Sequence, residues 1–396
     1  MRARFPRISL NAASLTTAAF GAIALLTLSG CVGNNPAGTG QGLTVESSAD
    51  GCSVSASEVT AGTTSFSVTN SGDQVTEFYL LGDDGLRIVG EAENIGPGLT
   101  RDLVVQLAEG SYFTACKPGM IGDGIGKAAF TVLPSESGTA ANADRDRQVE
   151  TANTNYSSYV KDQIAQLVTG TNAFTAVYVA GDFKTARTLY AATRMHWERV
   201  ETVAESFGDL DPKLDLREAD LEEGQNWTGW HTIEKELWPQ DAEVGFTAYT
   251  AEERSSLADQ LVADTATLNG NVHGLSFTLS QQTNGAIGLL GEVASGKVTG
   301  EEEFWSHTDL WDFQANIDGA AVLYAGIRGI LVAEDADLAD SLDSVFASLQ
   351  QLLDAQRVGD GFALYTDLEP AEIRAFADQV NALAEPLNQL TATLVL

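Results

Sequence analysis

The sequence is short of positive charge. It carries 22 Lys and Arg against 55 Asp and Glu, a formal net charge of −33. Such a body repels phosphate backbones, which argues against nucleic acid as a partner, and it attracts cations. Histidine is scarce too. The four, His196, His231, His273 and His307, all lie C-terminal to Tyr190, so the N-terminal part cannot supply the two imidazoles of a blue-copper centre. Three cysteines leave few sulfur ligands. Beyond the first residues no run approaches the roughly 20 apolar residues of a membrane span. Enzyme signatures are missing as well: no His-Glu-x-x-His zinc-protease motif, no Gly-x-Ser-x-Gly elbow, no Walker or dinucleotide loop.

What is present begins with a leader. Arg2, Arg4 and Arg7 precede a short apolar stretch from Ala18 to Leu26, and Leu28-Ser29-Gly30-Cys31 resembles a bacterial lipobox. Residues 1–31 are therefore expected to act as a lipoprotein signal peptide. Cleavage before Cys31 and lipidation there would hold the chain on the outer face of the cytoplasmic membrane. Residues 32–44 read as a flexible tether. Residues 45–133 read as β: Phe66 and Val68 alternate with polar neighbours, as do Leu103, Val105 and Leu107, and Gly/Asp/Pro turns separate the runs. A Ser/Ala-rich linker is expected over 134–143. From residue 144 to 396 the apolar period changes to about 3.6, predicting seven or eight helices. The clearest stripe is Ile373, Phe376, Val380, Leu383, Leu387, Leu390 and Leu394, with Pro386 expected to kink it. Thr250 and Glu253 predict a capping box.

Chemistry concentrates in the helical part. Trp230-His231-Thr232-Ile233-Glu234 places an imidazole and a carboxylate three residues apart on one helix face. Glu198 and Glu201 repeat that spacing, with Glu205 continuing the stripe, and His196 points elsewhere. An acidic loop carries Asp209, Asp211, Asp215, Glu218 and Asp220. A further cluster runs from Ser306 through His307 and Asp309 to Asp312. One imidazole among many carboxylates suits a hard cation such as Fe(III), Mn or Ca, with copper and zinc able to compete through the imidazole. In the β part the candidates are Cys52, Cys116, Met120, Glu77, Glu91 and Glu93. Two readings stay open there: a Cys52–Cys116 disulfide, economical in an oxidising compartment, or a thiolate–carboxylate metal site.

The runs from Tyr190 through Arg194 and Glu198 to Glu201, from Ala204 to Lys213, from Trp227 through His231 and Glu234 to Trp238, from Lys297 to Glu302 and from Ser306 to Phe313 resemble the imelysin (M75-type) domain of the EfeO-type family. Glu91 to Leu99 and Cys116 to Gly119 resemble the cupredoxin-like domain that precedes it. The resemblance covers about residues 45–396. It implies a multidomain chain, an N-terminal all-β cupredoxin-like sandwich followed by an all-α helical-bundle imelysin domain. It also implies a non-enzymatic component of an EfeUOB-type iron-uptake system that binds Fe3+ or Fe2+. Its partners would be an EfeU-like membrane iron permease and an EfeB-like dye-decolourising haem peroxidase. The family's His-x-x-Glu pair falls on His231 and Glu234, and its other carboxylate ligands on Glu198, Glu201, Asp215 and Glu292. Its β-domain ligands fall on Cys52, Glu77 and Cys116. Many members lack a lipobox. Two alternatives accompany this reading, an M75-type metallopeptidase and a binder of acidic polysaccharide bridged by metal.

Overall fold

The computed structural model describes residues 41–120, 124–134, 143–240, 246–295 and 297–395. The leader, Cys31 and most of the expected tether and linker lie outside these. Nine strands come first: β1 (Gln41–Ser48), β2 (Gly51–Val54), β3 (Glu58–Thr60), β4 (Gly62–Asn70), β5 (Thr76–Leu81), β6 (Ile88–Ile95), β7 (Thr100–Leu107), β8 (Gly110–Cys116) and β9 (Ile125–Leu133). They form two sheets, ordered β2-β1-β4-β7 and β3-β9-β8-β5-β6. Strand β1 starts inside the segment expected as tether, because it pairs in parallel with β4 from Gln41↔Thr64 to Ser47↔Asn70.

The two-residue alternation read from the sequence aims Phe66, Val68, Leu103, Val105 and Leu107 inward, all buried with Phe78, Leu80 and Phe130. Phe66 packs on Phe78 and Phe130 at ring-centroid distances of 5.3 and 5.6 Å. Each such side chain contributes about 1.5–3 kcal/mol by leaving water. Cys52 on β2 and Cys116 on β8 are joined as a disulfide, tying one sheet to the other. That bond consumes both thiols, so the sulfur ligands of a thiolate–carboxylate site are not on offer in this structure.

The helices are α1 (Ala143–Val179), α2 (Phe183–Glu198), α3 (Leu210–Asp215), α4 (Trp230–Leu237), α5 (Ala251–Val272), α6 (Leu279–Ser295), α7 (Asp309–Glu334), α8 (Ala336–Ala355), α9 (Pro370–Leu387) and α10 (Leu390–Val395). Ten α-helices stand among the described residues where seven or eight were expected. The surplus is short: α3 and α10 have six residues each. Thr250 and Glu253 form the anticipated capping box on α5. The C-terminal stripe is buried from Phe376 to Leu394, but Pro386 stands in the last turn of α9 and the stripe continues in a separate helix rather than across a kink. Helix α7 is long and apolar enough on average to cross a membrane. Here it lies inside the bundle against α1, α2 and α8.

Helix α6 carries the β region onto the bundle, packing on β6 and β7. Gln106 N–H donates to Ser280 Oγ at 3.1 Å, and Asn284 Nδ2 donates to the Val104 carbonyl at 2.9 Å. Gly288 of α6 leaves room for Glu93 of β6: a Cβ there would stand 3.2 Å from its carboxylate. The fold thus brings β-strand acids to the acidic side of the bundle.

Candidate metal centre

Four short pieces of chain meet behind that junction. The last turn of α2 supplies Arg194 and Glu198, four residues apart on one face. Helix α3 ends in Asp215. Helix α4 supplies His231 and Glu234 and can dock closely on α3 because Gly229, at φ 90°, lies against the Leu214 carbonyl where a side chain would collide. The loop before α7 supplies Glu302 and Glu303.

The imidazole of His231 is 1% exposed. Its Nδ1 lies 2.9 Å from Glu234 Oε2. Glu234 is itself fixed, its Oε1 accepting from the backbone N–H groups of Trp305 (2.9 Å) and Ser306 (2.7 Å). The other ring nitrogen, Nε2, is buried and has no hydrogen-bond partner among the described residues. It faces Asp215 Oδ1 at 3.5 Å and Glu302 Oε1 at 3.7 Å. One atom from each of Asp215, His231 and Glu302 lies within 4.8 Å of the others, and so does one from each of His231, Glu234 and Glu303.

Buried charge surrounds this triad. The Arg194 guanidinium pairs with Glu198, Asp215 and Glu303. The Lys297 ammonium lies 2.6 Å from Glu201 and 3.1 Å from Glu198. Burial and the Arg194 charge pull the His231 pKa down, but the hydrogen bond to Glu234 and the nearby Glu302 and Asp215 carboxylates outweigh them and raise it to about 10. Burial works against ionised Glu302, yet Lys297, His231 and Arg194 hold it well below the usual carboxylate range. Arg194 and His231 likewise overcome burial and lower Asp215. Burial and the Glu234 charge push Glu303 up to about 8, and burial lifts Asp309 to about 7. Two carboxylates therefore stay ionised beside an imidazole whose Nε2 makes no hydrogen bond among the described residues, an arrangement suited to a hard or borderline cation.

Two openings reach the triad. A cleft of about 350 Å³ between the β region and the bundle is lined by Glu77, Glu93, Glu292, Asp215, Lys297 and Glu302 among others. An adjoining cavity of about 560 Å³, sharing Arg217 and Glu302 with that cleft, is lined by His231, Phe304 and Trp305 as well.

Comparison with known proteins places these elements. The imelysin family, Peptidase M75, matches residues 152–390. The iron uptake system component EfeO of Escherichia coli K12 is 37% identical over 339 residues, 85% of this chain and 87% of that protein. The chain belongs to the EfeO family. The EfeO of Shigella flexneri matches at the same identity and coverage. A crystal structure described as an iron-regulated protein A precursor from Parabacteroides distasonis shares the fold at TM-score 0.51 and 17% identity, covering 65% of this chain and 98% of that one.

Against this EfeO-family frame the residues singled out in the sequence separate. His231, Glu234 and Asp215 come together as above. Glu198 and Glu201 do not share a helix, since α2 ends at Glu198 and a 3-10 helix, Glu201–Phe207, follows. Both still converge on Lys297 and on Asn316 Nδ2, which donates to Glu198 Oε2 at 3.0 Å and to Glu201 Oε2 at 2.7 Å. Neither touches His231. Glu292 faces the cleft together with Glu77, whose carboxylate accepts from Tyr79. Burial raises both acids, against the opposing charges of Lys297 for Glu292 and Lys117 for Glu77. His196 points away, to Gln163 Oε1 at 2.9 Å. Sequence reasoning missed Glu302, Glu303 and the two cations that organise them. The run Glu301-Glu302-Glu303 just ahead of the His307–Asp312 cluster was the available signal.

Proposed function

We propose that this EfeO-family chain captures iron outside the cytoplasm and passes it to a membrane permease, as a non-enzymatic, metal-binding component of an uptake system. In this reading Asp215, His231 Nε2 and Glu302 hold the ion. Glu234 orients the ring by accepting the Nδ1 proton, the usual way a metal-binding imidazole is fixed. Glu198, Glu201 and Glu292 form an outer acidic field, and Glu77 continues it across the cleft. The observation carrying the reading is the buried, partnerless Nε2 facing two carboxylates that stay ionised. Fe(III) and Fe(II) are both compatible with this donor set, and copper or zinc would compete through the imidazole.

A lipid on Cys31 would keep such a receptor beside an EfeU-like permease, with an EfeB-like haem peroxidase as a further partner. The cupredoxin-like β domain, residues 45–133, would guard the cleft by which a cation enters, and 144–396 would form the capture domain. Peptidase chemistry would need an open water position and a free base; Glu234, the nearest carboxylate to the ring, has both oxygens engaged. Equilibrium dialysis with Fe(III) and Fe(II) tests the assignment. His231→Ala and Glu302→Gln should each weaken binding by at least about tenfold, the scale of a lost ligand or its partner. Parental binding in both variants would remove the site.

A further inference from the structure

Glu198 and Glu201 already have a cation between them. Lys297 Nζ lies 3.1 Å from Glu198 Oε2, 2.6 Å from each Glu201 oxygen and 3.9 Å from Glu302 Oε1. The side chain is only 8% exposed. An ammonium enclosed by three carboxylates is how a compact monovalent cation would be bound, here supplied by the chain itself. Its position is enforced: it sits on a 3-10 turn, Lys297–Thr299, directly before the loop that carries Glu302. Glu302 is shared, facing His231 and Lys297 with the same oxygen.

We infer that Lys297 is a built-in competitor for the captured cation, a residue that sets affinity and discriminates by charge. The inference rests on the capture site proposed above. An ion held by Asp215, His231 and Glu302 shares a carboxylate with the ammonium and is repelled by it at close range. Repulsion scales with the product of the charges, so the lysine disfavours a trivalent ion more than a divalent one. It also engages Glu198 and Glu201, the oxygen donors that Asn316 Nδ2 holds beside it. The result is a site whose grip is deliberately limited, as a carrier that must hand on its cargo requires.

Lys297→Met removes the charge and keeps the length of the stem, while Lys297→Arg keeps the charge. The measurement is equilibrium dialysis of the full chain against Ga(III), a redox-inert trivalent ion, and against Mn(II), both presented from citrate. Lys297→Met is expected to bind Ga(III) at least about tenfold tighter than the parent and Mn(II) by a smaller factor, with Lys297→Arg close to parental for both. Unchanged or weaker Ga(III) binding by folded Lys297→Met overturns the inference. If that variant does not fold, NMR of the 15N-lysine-labelled parent decides, with the Nζ signal assigned through Lys297→Arg. One equivalent of Ga(III) should shift that signal, and a signal that stays in place overturns the inference. Failure of the capture site itself looks different: His231→Ala would then bind both ions as the parent does.

Discussion

The two halves of this molecule fill their interiors in opposite ways. The β sandwich is held by apolar side chains around Phe66 and by one covalent bond between its sheets. The bundle around Arg194 buries Glu198, Glu234, Glu303 and Asp312 at 2% exposure or less beside large apolar residues such as Trp197 and Trp230. The first interior depends chiefly on apolar area removed from water. The second depends on charges compensating one another, so removing one member or adding a cation changes the energy of all of them. A protein that only had to fold would not need the second kind.

The largest effect should come from breaking that compensation. Arg194→Met leaves Glu198, Asp215 and Glu303 facing each other without their guanidinium, and is expected to cost at least about 3–5 kcal/mol in chemical denaturation. A loss below about 1 kcal/mol would mean the bundle tolerates unpaired buried charge and would erase the contrast. Next comes the sandwich. Replacing Cys52 and Cys116 by Ser together should cost about 2–4 kcal/mol by freeing a long loop in the unfolded chain, equally at pH 5 and pH 8.

The pH response sharpens the comparison further. Burial raises Glu303 to about 8, and Asp211 and Asp309 to about 7. Groups whose folded pKa exceeds the unfolded value hold protons better when folded, so their contribution to stability falls as pH rises from the ordinary carboxylate range through 8. His231, raised from 6.5 to about 10, contributes stability that is fully present below its unfolded value and is lost progressively as pH climbs from there through the folded one. Metal-free protein should therefore melt at a lower temperature at pH 8 than at pH 5.5 in scanning calorimetry. Bound metal, which prefers deprotonated ligands, should flatten the slope. A melting temperature that rises with pH in metal-free protein would contradict the charge assignment. The smallest effect is local: Thr250→Ala removes the α5 cap and should cost about 1 kcal/mol with no change in metal binding.

How much of this was legible beforehand follows from the same contrast. Periodicity found the sandwich and the bundle, because Phe66–Val68 and Ile373–Leu394 obey one rule each, alternation or a 3.6-residue repeat. It misjudged ends, where competing interactions decide. Parallel pairing with β4 recruits Gln41 into a strand, and Pro386 closes α9. At the site, spacing within one helix revealed His231 and Glu234. Asp215 came only through family resemblance. Glu302, which completes the triad, and Lys297, which neutralises its neighbours, are contributed from across the fold, and no spacing rule relates them to His231. Glu198 and Glu201 stand out through their three-residue spacing and the family resemblance, while the cation that pairs with them lies almost a hundred residues away.

The most direct test of the central claim is X-ray absorption spectroscopy of the iron-loaded chain at the iron K-edge, paired with anomalous diffraction to locate the ion. The account predicts a first shell of oxygen with one imidazole nitrogen, no sulfur, and an anomalous peak beside His231 Nε2 between Asp215 and Glu302. A sulfur scatterer, or a peak on the β-region side of the cleft at Glu77 with none at His231, would contradict it.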